Sequence, residues 1–325
     1  MHRIVVPDDF PTAISGTKAE ERLRSFGEVQ IYTDKATTQQ QLIERIDGFD
    51  AVVNIRAYSR LNRELFVACP KLKLVSVWGA GTDNVDLKAA LDLGVTVTNT
   101  PGANADAVAE HTIALLLALA RQIPTLDRDV RSGNWPRGEL VQLTGKVIGL
   151  IGLGAIGKRV AKIAGAMGME VLAWTFNPSP DRAEESGVRF VSIQDLLSNS
   201  DAVSLHLRLS DKTRGFFKKK DFDRMKPTAF LVNTARAGLI EPGELLRALR
   251  SKTIAGAALD VFDQEPLPPG DPVTALPNVV VTPHNGGMTP EAVLNGLAMA
   301  VNNVEAFLTG KKIDPACLVV QGSRR

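Results

Sequence analysis

The segment Gly152-Leu153-Gly154-Ala155-Ile156-Gly157 follows a strand-like apolar run, Val147–Ile151, and opens a helix-like run at 158–167. A G-x-G-x-x-G in isolation is a weak signal, but this flanking points to a βαβ unit that accepts a dinucleotide. Gly152 is expected to permit the tight turn. Gly154 is expected to let backbone N–H groups, those of Ala155 and Ile156 included, approach a pyrophosphate, and Gly157 to let helix and strand pack closely. A glycine-rich turn with no ligand is the plainer alternative, and the strand before and helix after weigh against it.

The alternation of strand and helix extends to both sides. Before the glycines, strand candidates lie at 4–6, 29–32, 51–55, 74–77 and 95–98, with helix candidates at 18–26, 38–46, 63–69 and 87–91. After them come strands at 171–174, 202–205, 229–232, 254–258 and 279–281 and helices at 193–197, 219–224, 242–250 and 290–308. Such spacing means parallel sheets. Residues 105–121 read as one long helix, apolar on most of its circumference, and 124–143 as a short helix and a loop carrying Trp135 and Pro136. The last helix follows a complete second sheet, so it is expected to return to the first domain. The expected organisation is discontinuous: residues 1–98 with 286–325 form a substrate-binding domain, and 99–285 a dinucleotide-binding domain. With the last helix ending so near residue 325, no appended regulatory domain is expected.

Composition narrows the function. Hydrophobic residues at 44% and charged ones at 23% suit a chain with sizeable cores and exclude a disordered one. With 38 Lys and Arg against 36 Asp and Glu, there is no basic excess of the kind that nucleic-acid and membrane-surface binders rely on. Two cysteines, Cys69 and Cys317, read as reduced buried thiols. The N-terminus reads as a strand rather than a signal sequence, and the apolar run 113–120 is far short of the ~18 residues of a membrane span. A cytoplasmic location is expected, with no metal, nucleic acid or membrane partner.

Three segments follow strands of the second series: Asn233-Thr234-Ala235-Arg236, Leu259-Asp260-Val261-Phe262-Asp263-Gln264-Glu265-Pro266, and Thr282-Pro283-His284-Asn285-Gly286-Gly287. Loops at strand carboxyl ends line the ligand crevice of such sheets, so Arg236, Glu265 and His284 are expected to converge. Unaided, each has a plainer reading, as an ion-pair partner, a turn residue and a structural histidine respectively. Together with the glycine fingerprint, Gly79-Ala80-Gly81-Thr82-Asp83 and Asn99-Thr100-Pro101-Gly102, these motifs resemble the D-isomer-specific 2-hydroxyacid dehydrogenases over nearly the whole chain. The resemblance implies a Rossmann-type doubly wound parallel sheet inserted into a smaller flavodoxin-like α/β domain, and a homodimer built through the long helix near 105–121. It also implies a reductase of small 2-oxo acids, such as glyoxylate or hydroxypyruvate, that uses NAD or NADP.

Reduction of a 2-oxo acid needs a proton donor, a positive group and a carboxylate anchor. His284 is expected to be the acid, with Glu265 on its other ring nitrogen fixing the tautomer and favouring the imidazolium. Arg236 is expected to bind the substrate carboxylate, with the N–H groups of Ala80 and Gly81 completing that site. By resemblance, Asp260 contacts the nicotinamide amide and Thr234 lies on the cofactor side. Arg56 and Tyr58 are candidates for selectivity.

An NAD site usually carries an acid at the end of its second strand. Here the strand runs into Thr175-Phe176-Asn177, with no acid before Asp181, so Thr175 and Asn177 stand at the ribose and Arg182 and Arg208 are candidates for a phosphate. This leans towards NADP or dual use. Two other readings share the architecture: a dinucleotide-sensing, corepressor-like interaction protein, and formate dehydrogenase, which is expected to carry glutamine at the position of Glu265.

Overall fold

The computed structural model describes residues 2–324. The chain forms β1 (His2–Val6), β2 (Gly27–Ile31), β3 (Ala51–Asn54), β4 (Leu74–Val77), β5 (Thr96–Thr98), β6 (Val147–Ile151), β7 (Glu170–Trp174), β8 (Arg189–Phe190), β9 (Ala202–Leu205), β10 (Phe230–Asn233), β11 (Gly256–Leu259), β12 (Val279–Val281) and β13 (Leu318–Val320). Two compact units result, Met1–Asn104 with Thr289–Arg325, and Ala105–Met288.

The first unit holds a sheet in the order β13-β5-β4-β3-β1-β2. Five strands are parallel, and β13 closes the edge antiparallel to β5. Without β13 this is the flavodoxin-like order, whose direction reverses between β1 and β3. The helix Pro290–Leu308 starts with Thr289 capping Ala292 N–H and with Pro290 at its first position, both favourable there. It buries Leu297, Ala300, Val301 and Val304 against Ile4, Val53 and Leu74. The last helix therefore belongs to the first unit.

The second unit holds the order β12-β11-β10-β9-β6-β7-β8, all parallel. Its direction reverses between β6 and β9, which is the doubly wound pattern of a Rossmann-type sheet, and ligands bind such sheets outside the carboxyl ends at that reversal. The helix Ala105–Ala120 is buried on most of its circumference because it lies in this unit's core, where Ile113, Leu116 and Leu119 join Ile148, Leu150, Val160 and Val232. Its apolar faces are thus covered within the chain. The next helix, Ile123–Arg131, buries no residue, and Ile123, Val130 and Trp135 are exposed.

The changes of unit fall at Asn104–Ala105 and Met288–Thr289, a few residues later than the sequence suggested. The reason is local bonding. Asn99 N–H donates to Cys317 O and Thr100 N–H to Gly79 O, which keeps this turn in the first unit. Asp260 accepts from Asn285 and Gly286 N–H, which keeps the segment after β12 in the second. Among the described residues no helix is long and apolar enough to cross a membrane, and no cluster could hold a metal ion.

Candidate active site

The glycine turn sits at the reversal between β6 and β9. Gly152 has φ +104°, and a Cβ there would lie 2.7 Å from the His206 backbone carbonyl, so only glycine fits. A methyl on Gly157 would overlap the Gly152 carbonyl oxygen, which sets how closely the helix Ala155–Ala166 approaches the turn. Gly154 differs: it is exposed with nothing near its Cβ position. The N–H groups of Gly154, Ala155 and Ile156 make no hydrogen bond among the described residues, as expected of a helix start with no side-chain cap. Two glycines thus shape the turn and the third leaves it open, which fits a pyrophosphate.

His206 follows β9 against this turn. Its Nε2 is shielded and has no partner, and burial pushes the imidazole pKa down to about 4, so the ring is neutral at neutral pH.

Beyond β11 and β12 lie the proposed acid and its partner. His284 Nδ1 is 2.7 Å from Glu265 Oε2, while Glu265 Oε1 accepts from Phe262 N–H at 2.9 Å. Burial alone would raise the Glu265 pKa, but the hydrogen bonds from His284 and Phe262 and the charges of His284 and Arg236 outweigh it and hold the carboxyl below its ordinary value. A carboxylate only accepts, so Nδ1 carries the proton and Nε2 is the nitrogen that exchanges one. His284 has φ +54°, an unusual backbone for histidine.

Asp260 holds that backbone. Its carboxylate, 2% exposed, accepts from Thr282 Oγ1 at 2.6 Å, Asn285 N–H at 3.1 Å and Gly286 N–H at 2.9 Å. These bonds engage both carboxylate oxygens inside the chain, so its visible work is to fix the loop carrying His284. His111 joins from the helix Ala105–Ala120, with Nε2 3.0 Å from Thr282 Oγ1. The sequence had given His111 no site role, and the signal that could have found it was its spacing on the face of a helix buried against β11.

Arg236 follows β10. Its loop is tied by Asn233, whose side chain accepts from Ala235 N–H and donates to Arg236 O, each at 3.0 Å. Arg236 Nη1 donates to Ala235 O at 2.8 Å, and the guanidinium is near enough to Glu265 to lower its pKa. Arg236, Glu265 and His284 therefore come together on successive strand ends. Thr234 is buried, with its Oγ1 2.8 Å from Thr112 Oγ1.

At the end of β7, Thr175 and exposed Asn177 occupy the expected ribose position. Arg182 lies in a helix, Pro180–Ser186, and its guanidinium donates to Leu153 O at 2.8 Å and to Asn177 O. It bridges the glycine turn and the β7 end. Glu185 pairs with Lys158 at 2.6 Å, and that hydrogen bond together with the charges of Lys158 and Arg182 holds its carboxyl below its ordinary value. Arg208 is exposed, and its side chain makes no hydrogen bond among the described residues.

In the first unit, the 79–81 loop follows β4. Gly79 N–H donates to Thr100 Oγ1 at 2.8 Å and Asn99 Nδ2 to Ala80 O at 2.9 Å, whereas the N–H groups of Ala80 and Gly81 have no acceptor among the described residues. Two adjacent free N–H groups on a braced loop suit a carboxylate. Arg56 and Tyr58 follow β3, where Arg56 Nη2 donates to Pro11 O and Tyr58 Oη to Phe10 O at 2.7 Å. Burial pushes the Tyr58 pKa up to about 12, so its hydroxyl stays protonated.

A family model described as D-isomer specific 2-hydroxyacid dehydrogenase, NAD binding domain, matches residues 113–286. The chain belongs to this family. Among relatives of this dehydrogenase, glyoxylate reductase of Aeropyrum pernix is 38% identical over 315 residues, 94% of each chain. D-3-phosphoglycerate dehydrogenase of Archaeoglobus fulgidus is 40% identical over 270 residues, 82% of this chain. The match spans about half of that relative, 51% of its length. A solved acyclic imino acid reductase, in complex with NADPH and D-Arg, has a TM-score of 0.87 and 28% identity and covers 98% of this dehydrogenase and all of its own chain. The family is one of NAD(P)-dependent oxidoreductases acting on small 2-hydroxy and 2-oxo acids.

Proposed function

We propose that this dehydrogenase reduces small 2-oxo acids of the glyoxylate or hydroxypyruvate kind to the D-2-hydroxy acids, and catalyses the reverse. The 2.7 Å contact between Glu265 and His284 Nδ1 carries this reading. When bound, the nicotinamide supplies the hydride. The chain's residues do the rest. The N–H groups at 154–156 hold the pyrophosphate, and Arg236 binds the substrate carboxylate. His284 gives the proton on Nε2 to the carbonyl oxygen as negative charge builds there, and the ionised Glu265 stabilises the imidazolium before transfer. In oxidation the neutral ring takes the proton back.

NADP is the cofactor this reading favours. Thr175 offers no carboxylate to repel a 2′-phosphate, and Arg182 brings its guanidinium to the ribose end. The imino acid reductase similar to this chain was solved in complex with NADPH. The test is a panel of 2-oxo acids with NADH and NADPH, followed by loss of reduced nicotinamide absorbance. NADPH should be favoured in kcat/KM by about ten-fold or more, and Arg182→Ala should remove most of that advantage. A large preference for NADH would refute the cofactor assignment. Tight cofactor binding without turnover of any acid would favour the sensor reading, and turnover of formate the formate dehydrogenase reading, which Glu265 weighs against.

A homodimer is part of the same proposal. The exposed Ile123, Val130 and Trp135 give a second copy an apolar surface to cover. Light scattering should return twice the chain mass of 34.9 kDa, and a monomer at micromolar concentration would contradict it.

A further inference from the structure

Two consecutive residues of the helix Ala105–Ala120 touch the two loops that carry His284 and Arg236. His111 Nε2 lies 3.0 Å from Thr282 Oγ1, at the start of the segment that carries His284. Thr112 Oγ1 lies 2.8 Å from Thr234 Oγ1, two residues before Arg236. The Thr112 hydroxyl is buried and donates back to Val108 O of its own helix at 2.7 Å, so it serves the packing of that helix. The His111 contact has a different character, because its partner reaches onward to Asp260.

The direction of the His111 bond follows from that partner. Thr282 has one hydroxyl hydrogen, and it is donated to Asp260 Oδ1 at 2.6 Å. Thr282 Oγ1 can therefore only accept from His111, which places a proton on Nε2 of that ring. The same nitrogen is 3.4 Å from Asp260 Oδ1, so its N–H edge faces the carboxylate. Gly286 completes the contact. A Cβ there would lie 2.9 Å from His111 Cδ2 and 3.0 Å from Asp260 Oδ2, so glycine alone lets imidazole and carboxylate come this close to the backbone. His111 thus meets the segment on both sides of His284, at 282 and at 286. Between these points His284 holds φ +54°, a backbone uncommon for any residue but glycine and kept only where the surroundings fix it.

We propose that His111 is a positioning residue for the catalytic acid: its Nε2–H, acting through Thr282 and Asp260, holds the 282–286 segment in the backbone that aims His284. This rests on the 2-oxo acid reading above and adds to it a residue that acts only through others. Glu265 orients the His284 ring from its Nδ1 side. His111 fixes the backbone from which that ring projects. The plainer alternative is a ring that only fills space beside Gly286; it needs no proton on Nε2, and an apolar side chain of similar size would serve as well.

Gln can place an N–H near the position of Nε2, whereas Leu fills similar space without one. His111→Leu should lower kcat for 2-oxo acid reduction about ten-fold with KM within about three-fold, since one hydrogen bond of the chain is lost and Arg236 is no part of it. His111→Gln should keep kcat within about three-fold of the unaltered enzyme. Thr282→Val breaks the same chain of bonds, so adding His111→Leu to it should change kcat by less than about two-fold. Losses that multiply in the double variant, or equal losses with Leu and Gln, would overturn the positioning role. A second readout needs no turnover. The chain has four histidines, so imidazole ¹⁵N NMR, with His111→Gln for assignment, identifies the His111 ring. Its Nε2 should carry a proton, and Thr282→Val should move that resonance. A ring protonated on Nδ1 alone would overturn the proposal, and this measurement decides even if His111→Leu does not fold. Absence of turnover with every 2-oxo acid, alongside a protonated Nε2, would overturn the reaction and with it the catalytic part of the role, and leave the hydrogen bond standing.

Discussion

Replacing His284 with Gln should lower kcat for 2-oxo acid reduction by about 10³-fold while the cofactor Kd stays within about three-fold. Gln keeps a hydrogen-bonding side chain of similar reach but has no proton to give near neutral pH. The pyrophosphate contacts proposed above belong to the glycine turn beyond β6, so cofactor binding should not depend on the ring. Stopped-flow reduction with saturating cofactor, alongside a fluorescence titration of cofactor alone, reads both quantities. Near-normal turnover would remove His284 from the chemistry. Glu265 enters through the same pair: its carboxyl is held below its ordinary value, so the Glu265–His284 contact should persist through mildly acidic pH and fail only on stronger acidification.

Arg236→Gln should have the next largest effect, a fall in kcat/KM of about 10²–10³-fold, as expected when two charge-assisted hydrogen bonds to a carboxylate are lost. The loss should appear in KM, because the carboxylate is present from the first encounter, and in kcat, because the guanidinium also polarises the carbonyl as charge develops. Arg236→Lys restores a charge without the planar fork, so it should recover part of kcat while KM stays high. Steady-state kinetics with glyoxylate would show the split. Equal and small effects in both variants would mean that Arg236 serves only its own loop, through Asn233 and Ala235.

The parts legible in the sequence are those where a local rule forces the residue. Gly152 and Gly157 could be read because a positive φ and a backbone-to-backbone approach exclude side chains. Arg236, Glu265 and His284 could be read because each directly follows a short apolar strand. The helix Pro180–Ser186 was not read as an element because it buries no residue and so shows no apolar period, although Ser179 as cap, Pro180 at the first position and Gly187 at φ +61° bracket it. β8 has two residues and no period to detect, and β13 pairs antiparallel with β5 across more than two hundred residues.

The site showed the same divide. In the sequence Asp260 stood only as an expected contact of the nicotinamide amide; that its carboxylate also accepts from Thr282, Asn285 and Gly286 exists only once β11 and β12 lie side by side.

If His284, Glu265 and Arg236 serve stereospecific reduction of a 2-oxo acid, the product has one configuration. Hydroxypyruvate incubated with enzyme and reduced cofactor, then resolved by chiral chromatography, should yield glycerate of the D configuration alone, in step with cofactor oxidation. L-glycerate, a racemate, or bound cofactor with no product from any 2-oxo acid would contradict the account.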